Sequence, residues 1–334
     1  MPIIAGVDLG GTAVNYTLLD FEGRFLIEGL CEHPARSVEG PEVCLQQIED
    51  GLAIAVRKAG LEVGDVVVVG LDTPGPASAS GVLSAKGSTN FVHPAWAGLD
   101  LPAALSAKLG RPVTYLNDGN AGALWGHVSI FGTDHHKTSI SAIVGTGLGG
   151  GVIESGRVVK GAAGMAGELG HVHLPMHGLL EADQPVPQCN CGFLGDAESV
   201  ASLTGISRNL LPYWLSRFPG HELGQVGSLE KAAKMARAYG ERGDPLALKV
   251  FEQQAMALGR LFTIAANFTD PHVYFIGGGV VETGPEFRHW FLAKVREHTL
   301  LRTEQAAVAS IALVPDLDMA GARGAAVAAL ASLA

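Results

Sequence analysis

The chain has 334 residues, of which 47% are hydrophobic and 17% charged, with a formal net charge of -10. That length accommodates two domains, the composition excludes a disordered chain, and net acidity without a long basic run argues against nucleic acid as a partner. Four cysteines are too few for a disulfide scaffold, no apolar run is long enough to span a bilayer, and MPIIAGVDLGGT lacks the pattern of a secretory leader, so a soluble cytoplasmic protein is expected.

The first strand is expected from Ile3 to Leu9, an apolar run that suits burial on both faces. Gly10, Gly11 and Thr12 make a turn without side-chain bulk. A strand from Val14 to Leu19, a turn at Phe21 to Arg24 and a third strand RFLIEGL complete a β-meander. CLQQIEDGLAIAVRK (Cys44 to Lys58) predicts an amphipathic helix and DVVVVGL (Asp65 to Leu71) a buried strand. Leu101 to Leu109 predicts a helix, and PVTYLND a strand that ends at Asn117 and Asp118. Cys31 and Cys44 read as small buried residues.

The meander layout then returns. SAIVG is a strand, TGLGGG (Thr146 to Gly151) a glycine turn, and VIESGRVVKG a strand, a turn at Glu154 to Gly156 and another strand. We read this as an internal duplication of two related halves. Gly145, Gly147 and Gly150 fit G-x-G-x-x-G, but a dinucleotide fold needs a helix directly after those glycines, and here a strand follows. The chain also contains no Gly-Lys dipeptide and so no Walker A loop. The two glycine turns are either plain hairpins or phosphate cradles, whose backbone N–H groups reach an anion without a Cβ in the way. Two copies, the first preceded by Asp8 as a possible Mg²⁺ contact through water, favour phosphate.

Beyond Cys191 the chain turns mainly helical. Helices are expected over Ala201 to Phe218, Ser228 to Glu241 and Asp244 to Asn267. VYFIGGG (Val273 to Gly279) is a strand entering three glycines, and AGARGAAVAALASLA a small-residue helix suited to tight packing. Strands, helices and meanders in alternation mean an α/β fold. Two features in this scheme invite chemistry. Cys189 and Cys191 have a spacing that often holds zinc, yet no further cysteine follows. Asp118, at a strand end before a helix start, is either a helix cap or a carboxylate projecting into a cleft; from pattern alone the two are even.

VDLGGT around Asp8, LNDGNAGALWG at 116–126, IVGTGLGGGVIESGRVVKGAAGMAGELGH at 143–171 and CNCGFLGDAES together resemble the ROK family of sugar kinases and related repressors. The resemblance extends from residue 3 to the C-terminal helix and implies the actin-like, ribonuclease-H-like ATPase fold, with two domains and a cleft. Residues 1–118 plus 315–334 are expected in a small domain and 119–314 in a large one. The repressors resemble kinases with a DNA-reading domain in front; a first strand at residue 3 favours a kinase.

The resemblance implies ATP with Mg²⁺, bound by Asp8, Gly10, Gly11, Thr12, Gly145, Thr146 and Gly147, with Gly278 and Gly279 near the adenosine. It assigns Asp118 as general base and Asn117, Glu168, His171 and Glu198 as sugar contacts; Asn90 and the loop Asp72 to Gly81 are expected to line the same cleft. Each Glu or Asn taken alone is more simply a surface residue. The family's zinc site resembles one His and three Cys, and here His171, Cys189 and Cys191 match while Asp196 holds the last position. Aspartate is a chemically competent but harder ligand, so a structural His-Cys-Cys-Asp zinc site is expected ahead of a metal-free loop. Ala13 stands where family kinases often carry Lys, which leaves one phosphate contact in doubt. The resemblance also implies a homodimer, and glucose, phosphorylated at C6, as acceptor ahead of fructose, mannose, allose or an N-acetylhexosamine. A non-catalytic sugar sensor is the competing reading.

Overall fold

A computed structural model describes residues 1–333 other than 76, 85–90, 133 and 135. In chain order its strands and helices are β1 (Ile3–Leu9), β2 (Ala13–Leu19), β3 (Glu32–Pro34), α1 (Pro41–Lys58), β4 (Val66–Thr73), α2 (Leu101–Leu109), β5 (Val113–Asn117) and α3 (Asp118–Phe131). There follow β6 (Ser139–Val144), β7 (Leu148–Glu154), β8 (Arg157–Val158), α4 (Ala197–Ala201), α5 (Leu203–Gly205), α6 (Leu211–Arg217), α7 (Leu229–Glu241) and α8 (Pro245–Thr269). Last come β9 (Val273–Gly278), α9 (Pro285–His298), α10 (Thr303–Ala306), β10 (Ser310–Leu313) and α11 (Leu317–Ala331).

Among the described residues the strands form two five-stranded sheets, ordered β3-β2-β1-β4-β5 and β10-β9-β6-β7-β8. Counted within each half, both orders are third, second, first, fourth, fifth. The duplication expected from the two glycine meanders is therefore present in the strand order. In each sheet the first strand runs parallel to the fourth, and the second runs antiparallel to the third.

The chain divides into two units: Met1–His135, Gly151–Gly167 and Val314–Ala334 in one, His136–Gly150 and Glu168–Leu313 in the other. The first unit thus includes α3, which packs on α11. Its core follows from strand periodicity. Ile3, Ala5, Val7 and Leu9 lie on the face shared with α1 and α2, while Ile4 and Val68 lie with Ala326 and Ala329 of α11. The same alternation puts Gly6 and Asp8, and Gly70 and Asp72, on the α11 side. Glycine is required there: a Cβ on Gly6 would lie 2.0 Å from Ala322 O, and one on Gly70 1.9 Å from Ala325 O. The helix backbone rests directly on the sheet.

Three expected elements differ. The second glycine turn, expected over Thr146 to Gly151, ends before Leu148, where β7 begins. The third strand is Glu32–Pro34, not RFLIEGL. Leu26 N still donates to Leu18 O and Tyr16 N to Cys31 O, but residues between them leave the sheet to meet Arg323 of α11. The Arg323 guanidinium sits over the rings of Phe25 and Trp125 and donates to Glu28 O at 3.1 Å. The helix expected over Ala201 to Phe218 is broken into α4, α5, a π-turn at Ile206–Leu210 and α6. Ser202 accepts from Gly205 N and starts a new helix, because Leu203 N and Thr204 N donate to Gly145 O and Thr146 O instead of continuing the old one.

Gly70→Ala is expected to cost about 3 kcal/mol or more, since backbone on both sides prevents relaxation. The exposed Gly64→Ala, whose Cβ meets nothing within 4 Å, is expected to stay within about 0.5 kcal/mol. Urea unfolding of both variants checks the contrast.

Candidate functional site

The functional residues of the first unit gather at the carboxyl ends of β1, β4 and β5. Asp8 and Asp72 are direct partners in the parallel β1–β4 register. Both face α11 at Gly321, where a Cβ would lie 3.0 Å from Asp8 Oδ2 and 3.1 Å from Asp72 Oδ1. Asn15 Nδ2 donates to Asp8 Oδ2 at 3.2 Å. Asp72 is fully buried and neither of its oxygens meets a donor. Burial, then the negative charges of Asp8 and Asp118, hold the Asp72 carboxyl well above the ordinary carboxylate range. Burial also raises Asp8, against hydrogen bonds from Asn15 and Asp72. Hard oxygen donors short of positive charge suit Mg²⁺.

The turn after β1 is closed by Gly10 N donating to Ala13 O at 2.9 Å. Ser37 Oγ donates to Gly11 O and Ala35 N to Thr12 O, which anchors the turn from behind and leaves Thr12 exposed. At the start of α3 the cap is Asn117, whose Oδ1 accepts from Asn120 N at 2.9 Å. Asp118 is the first helical residue; it is exposed, and its Oδ1 accepts from the neighbouring Gly119 N. The capping role weighed for Asp118 therefore belongs to Asn117.

The second unit carries the other glycine turn. Gly145 N donates to Gly147 O at 2.9 Å, and Gly145 and Thr146 are exposed. Glu198 supports the turn: its Oε2 accepts from Leu148 N at 2.9 Å, and a Cβ on Gly147 would lie 2.7 Å from that oxygen. Glu198 Oε1 accepts from Cys189 Sγ at 3.3 Å. Glu168, half-buried, precedes the 3₁₀ turn Leu169–His171. Gly278, buried at the end of β9 with φ 98°, packs on Val144, and Arg237 donates to Gly279 O at 2.6 Å. Asn90 lies outside the described residues.

His171, Cys189, Cys191 and Asp196 come together, with one ligand atom from each all within 4.8 Å of one another. His171 Nδ1 lies 3.3 Å from Asp196 Oδ2, Cys189 Sγ 3.9 Å from His171 Nδ1 and Cys191 Sγ 3.7 Å from Asp196 Oδ2. Tetrahedral zinc with ordinary bond lengths has ligand–ligand edges of about 3.3–3.8 Å, so this donor set fits the ion with a small inward closure. The buried Asp196 divides its labour: Oδ1 accepts from Ser199 N and caps α4, while Oδ2 turns to His171 and Cys191. Nδ1 of His171 belongs to this cluster, which leaves Nε2 as the ring nitrogen outside it.

Sequence reasoning placed Asp72 only in a loop expected to line the cleft. The signal for more was present: Gly-Val-Asp at 6–8 recurs as Gly-Leu-Asp at 70–72.

Comparison with known proteins places the chain. A model of the ROK family matches residues 4–332, and the chain belongs to that family, on the actin-like ATPase fold. It is 30% identical over 293 residues to a glucokinase of Streptomyces coelicolor, covering 85% of this chain and 84% of the relative. It is 30% identical over 281 residues to an N-acetyl-D-glucosamine kinase of Salmonella arizonae, covering 82% and 83%. A ROK family glucokinase of Streptomyces griseus, solved in complex with glucose and AMPPNP, superposes with a TM-score of 0.71 at 28% identity over 98% of this chain and 99% of that one. No helix among the described residues is long and apolar enough to cross a membrane.

The buried Asp72 gives a pH prediction. Its folded-state pKa is raised, so its contribution to stability is fully present below the ordinary value of 3.8 and lost as pH rises through the raised value. In a chelator, Asp72→Asn is expected to melt progressively above the wild type as pH rises from 4 toward 8. Parallel melting curves across that range would refute the expectation.

Proposed function

We propose that this chain is an ATP-dependent hexose kinase that phosphorylates glucose at the C6 hydroxyl with Asp118 as general base. The carrying observation is the first turn of α3: Asn117 supplies the cap, and Asp118 stands exposed beside it. Sugar kinase activity is what the family and its relatives support, with glucokinases and N-acetylglucosamine kinases at about the same identity. Glucose and ATP are favoured by the S. griseus relative, whose complex held glucose and AMPPNP.

In this reading Asp118 accepts the proton of the attacking hydroxyl as the new O–P bond forms in line with the leaving ADP oxygen. Asn117, Glu168, His171 through Nε2, and Glu198 are assigned to sugar hydroxyls, with Asn90 as a further candidate. Glu198 Oε2 is committed to Leu148 N, which fixes the direction of the carboxylate; the Cys189 contact to Oε1 belongs to the metal-free thiol, since a zinc-bound thiolate has no proton to donate. The backbone N–H groups of Gly11, Thr12, Thr146 and Gly147 are assigned to phosphate oxygens, those of Gly10 and Gly145 being used to close the two turns, and Gly278 and Gly279 are assigned to the adenosine side. Asp8 is assigned to Mg²⁺, which when bound neutralises charge on the β- and γ-phosphate oxygens. With Ala13 in the first turn, those N–H donors and the cation carry charge that a Lys would otherwise share.

We assign a structural zinc to His171, Cys189, Cys191 and Asp196. Its place is to hold the Cys189–Asp196 loop against the 3₁₀ turn that ends at His171, and so to orient Glu198.

ADP release from ATP–Mg²⁺ over a panel of hexoses and N-acetylhexosamines tests the kinase. Turnover with glucose preferred is expected, with kcat falling about 10²–10⁴-fold in Asp118→Asn. Sugar binding with no sugar phosphate formed would instead establish a sensor. For the metal, purified protein is expected to contain zinc. Asp196→Asn keeps the α4 cap, because Asn caps as well as Asp. It is expected to weaken zinc retention by more than the roughly 10–100-fold typical of outer-shell changes. Zinc-free wild type with unchanged stability on zinc addition would refute the site.

A further inference from the structure

Asp72 is the buried ionisable group that the proposed phosphoryl transfer leaves unused. It sits near the end of an apolar strand, fully buried, and apart from a proton shared with Asp8 neither of its carboxylate oxygens meets a donor. Its register partner is a second carboxylate, Asp8. A third acceptor, Asn15 Oδ1, is also buried and unmet, since Asn15 gives its amide hydrogens to Asp8 Oδ2 and Asp318 O. Gly321 of α11 packs against the pair, and a Cβ there would crowd both carboxylates, at 3.0 Å from Asp8 Oδ2 and 3.1 Å from Asp72 Oδ1. Asp8 is part-buried, whereas Asp72 is fully buried.

A buried carboxylate without a partner costs several kcal/mol, by order of magnitude. Something positive must offset it. A single shared proton between Asp8 and Asp72 would satisfy one O···O contact and leave the other Asp72 oxygen and Asn15 Oδ1 unmet. A divalent cation balances both carboxylates at once and takes oxygen ligands by preference.

We propose that Asp72 joins Asp8 to form a divalent-cation site, of Mg²⁺ or Mn²⁺ class, that fills directly from solution before any nucleotide binds. The proposal rests on the phosphoryl-transfer reading for its purpose, since the cation is then in place beside the first glycine turn. Cation binding in the absence of nucleotide does not depend on that reading.

The test is Mn²⁺ titration of the full chain, stripped with a chelator and free of ATP and sugar, followed by electron paramagnetic resonance. Competition by Mg²⁺ separates this hard-ligand site from the thiolate cluster. The expected result is a bound Mn²⁺ that Mg²⁺ displaces, with affinity at least about tenfold weaker in both Asp72→Asn and Asp72→Ala. In chelator toward pH 8, Asp72→Asn is not expected to melt below the wild type, because it keeps the shape of the side chain and removes a buried charge. Wild-type protein that takes Mg²⁺-displaceable Mn²⁺ only when ATP is present would overturn the proposal without any variant. So would variants that bind as the wild type does. If Mn²⁺ binds as expected but no sugar is phosphorylated, the kinase reading falls and the cation site stands. If sugar is phosphorylated but nucleotide-free Mn²⁺ binding is absent, the reverse holds.

Discussion

The seating of α11 on β1 and β4 is the constraint on which the first unit depends. A helix normally lies about 10 Å from the sheet it covers, spaced by side chains. Here glycine at Gly6 and Gly70 removes that spacer and the carbonyls of Ala322 and Ala325 occupy the room. The same helix meets α3 by the same device, since a Cβ on Gly324 would lie 1.9 Å from Ala121 O. One run of small residues therefore fixes two distances. It brings Gly321 against the Asp8–Asp72 pair, and it fixes the first turns of α3, at whose start Asp118 stands. An alanine-rich tail that reads as weakly amphipathic is thus the element that sets the position of the acidic groups.

In the second unit a comparable part falls to Glu198 and Asp196, two residues apart around the start of α4. Asp196 caps the helix with one oxygen and turns the other toward His171 and Cys191. Glu198 accepts from Leu148 N and from Cys189. The Cys189–Asp196 loop, the 3₁₀ turn at His171 and the second glycine turn are linked through these two carboxylates. A carboxylate in place of a third cysteine is then easier to understand. Asp serves as ligand and helix cap together, while a thiolate is a poor cap.

Much of this was legible because it depends on short-range pattern. The strand limits of β1, the span of α2, the helix starts at Ser228 and Asp244, and the paired glycine meanders all follow from periodicity and turn chemistry. The cluster of His171 with Cys189, Cys191 and Asp196 follows from the family resemblance. What escaped depends on partners distant in sequence. RFLIEGL has strand composition, but Arg323, some 300 residues on, draws its backbone out of the sheet. The segment from Ala201 has helical spacing, but Leu203 N and Thr204 N are claimed by the Gly145–Thr146 turn. Asp118 could not be separated from a cap by pattern, because the decision lay with its neighbour Asn117.

Asp72 is the instructive case. Every level of the sequence agrees on β4: β-branched residues, an apolar run, a glycine where α11 must approach. Then the strand ends by burying a carboxylate with no donor, which breaks the rule that buried charges are paired. Such a break persists only where something compensates for it, and sites of ligand binding are where natural sequences tolerate the cost. Its location agrees with that logic, since open α/β sheets bind their ligands beyond the carboxyl ends of their strands. Asp8, Asp72 and Asn117 occupy those ends on three adjacent strands. The repeated Gly-x-Asp of β1 and β4 then has one physical meaning in both strands. The glycine admits the helix backbone, and two residues further, on the same face, the carboxylate meets the helix again at Gly321, where a Cβ would crowd it.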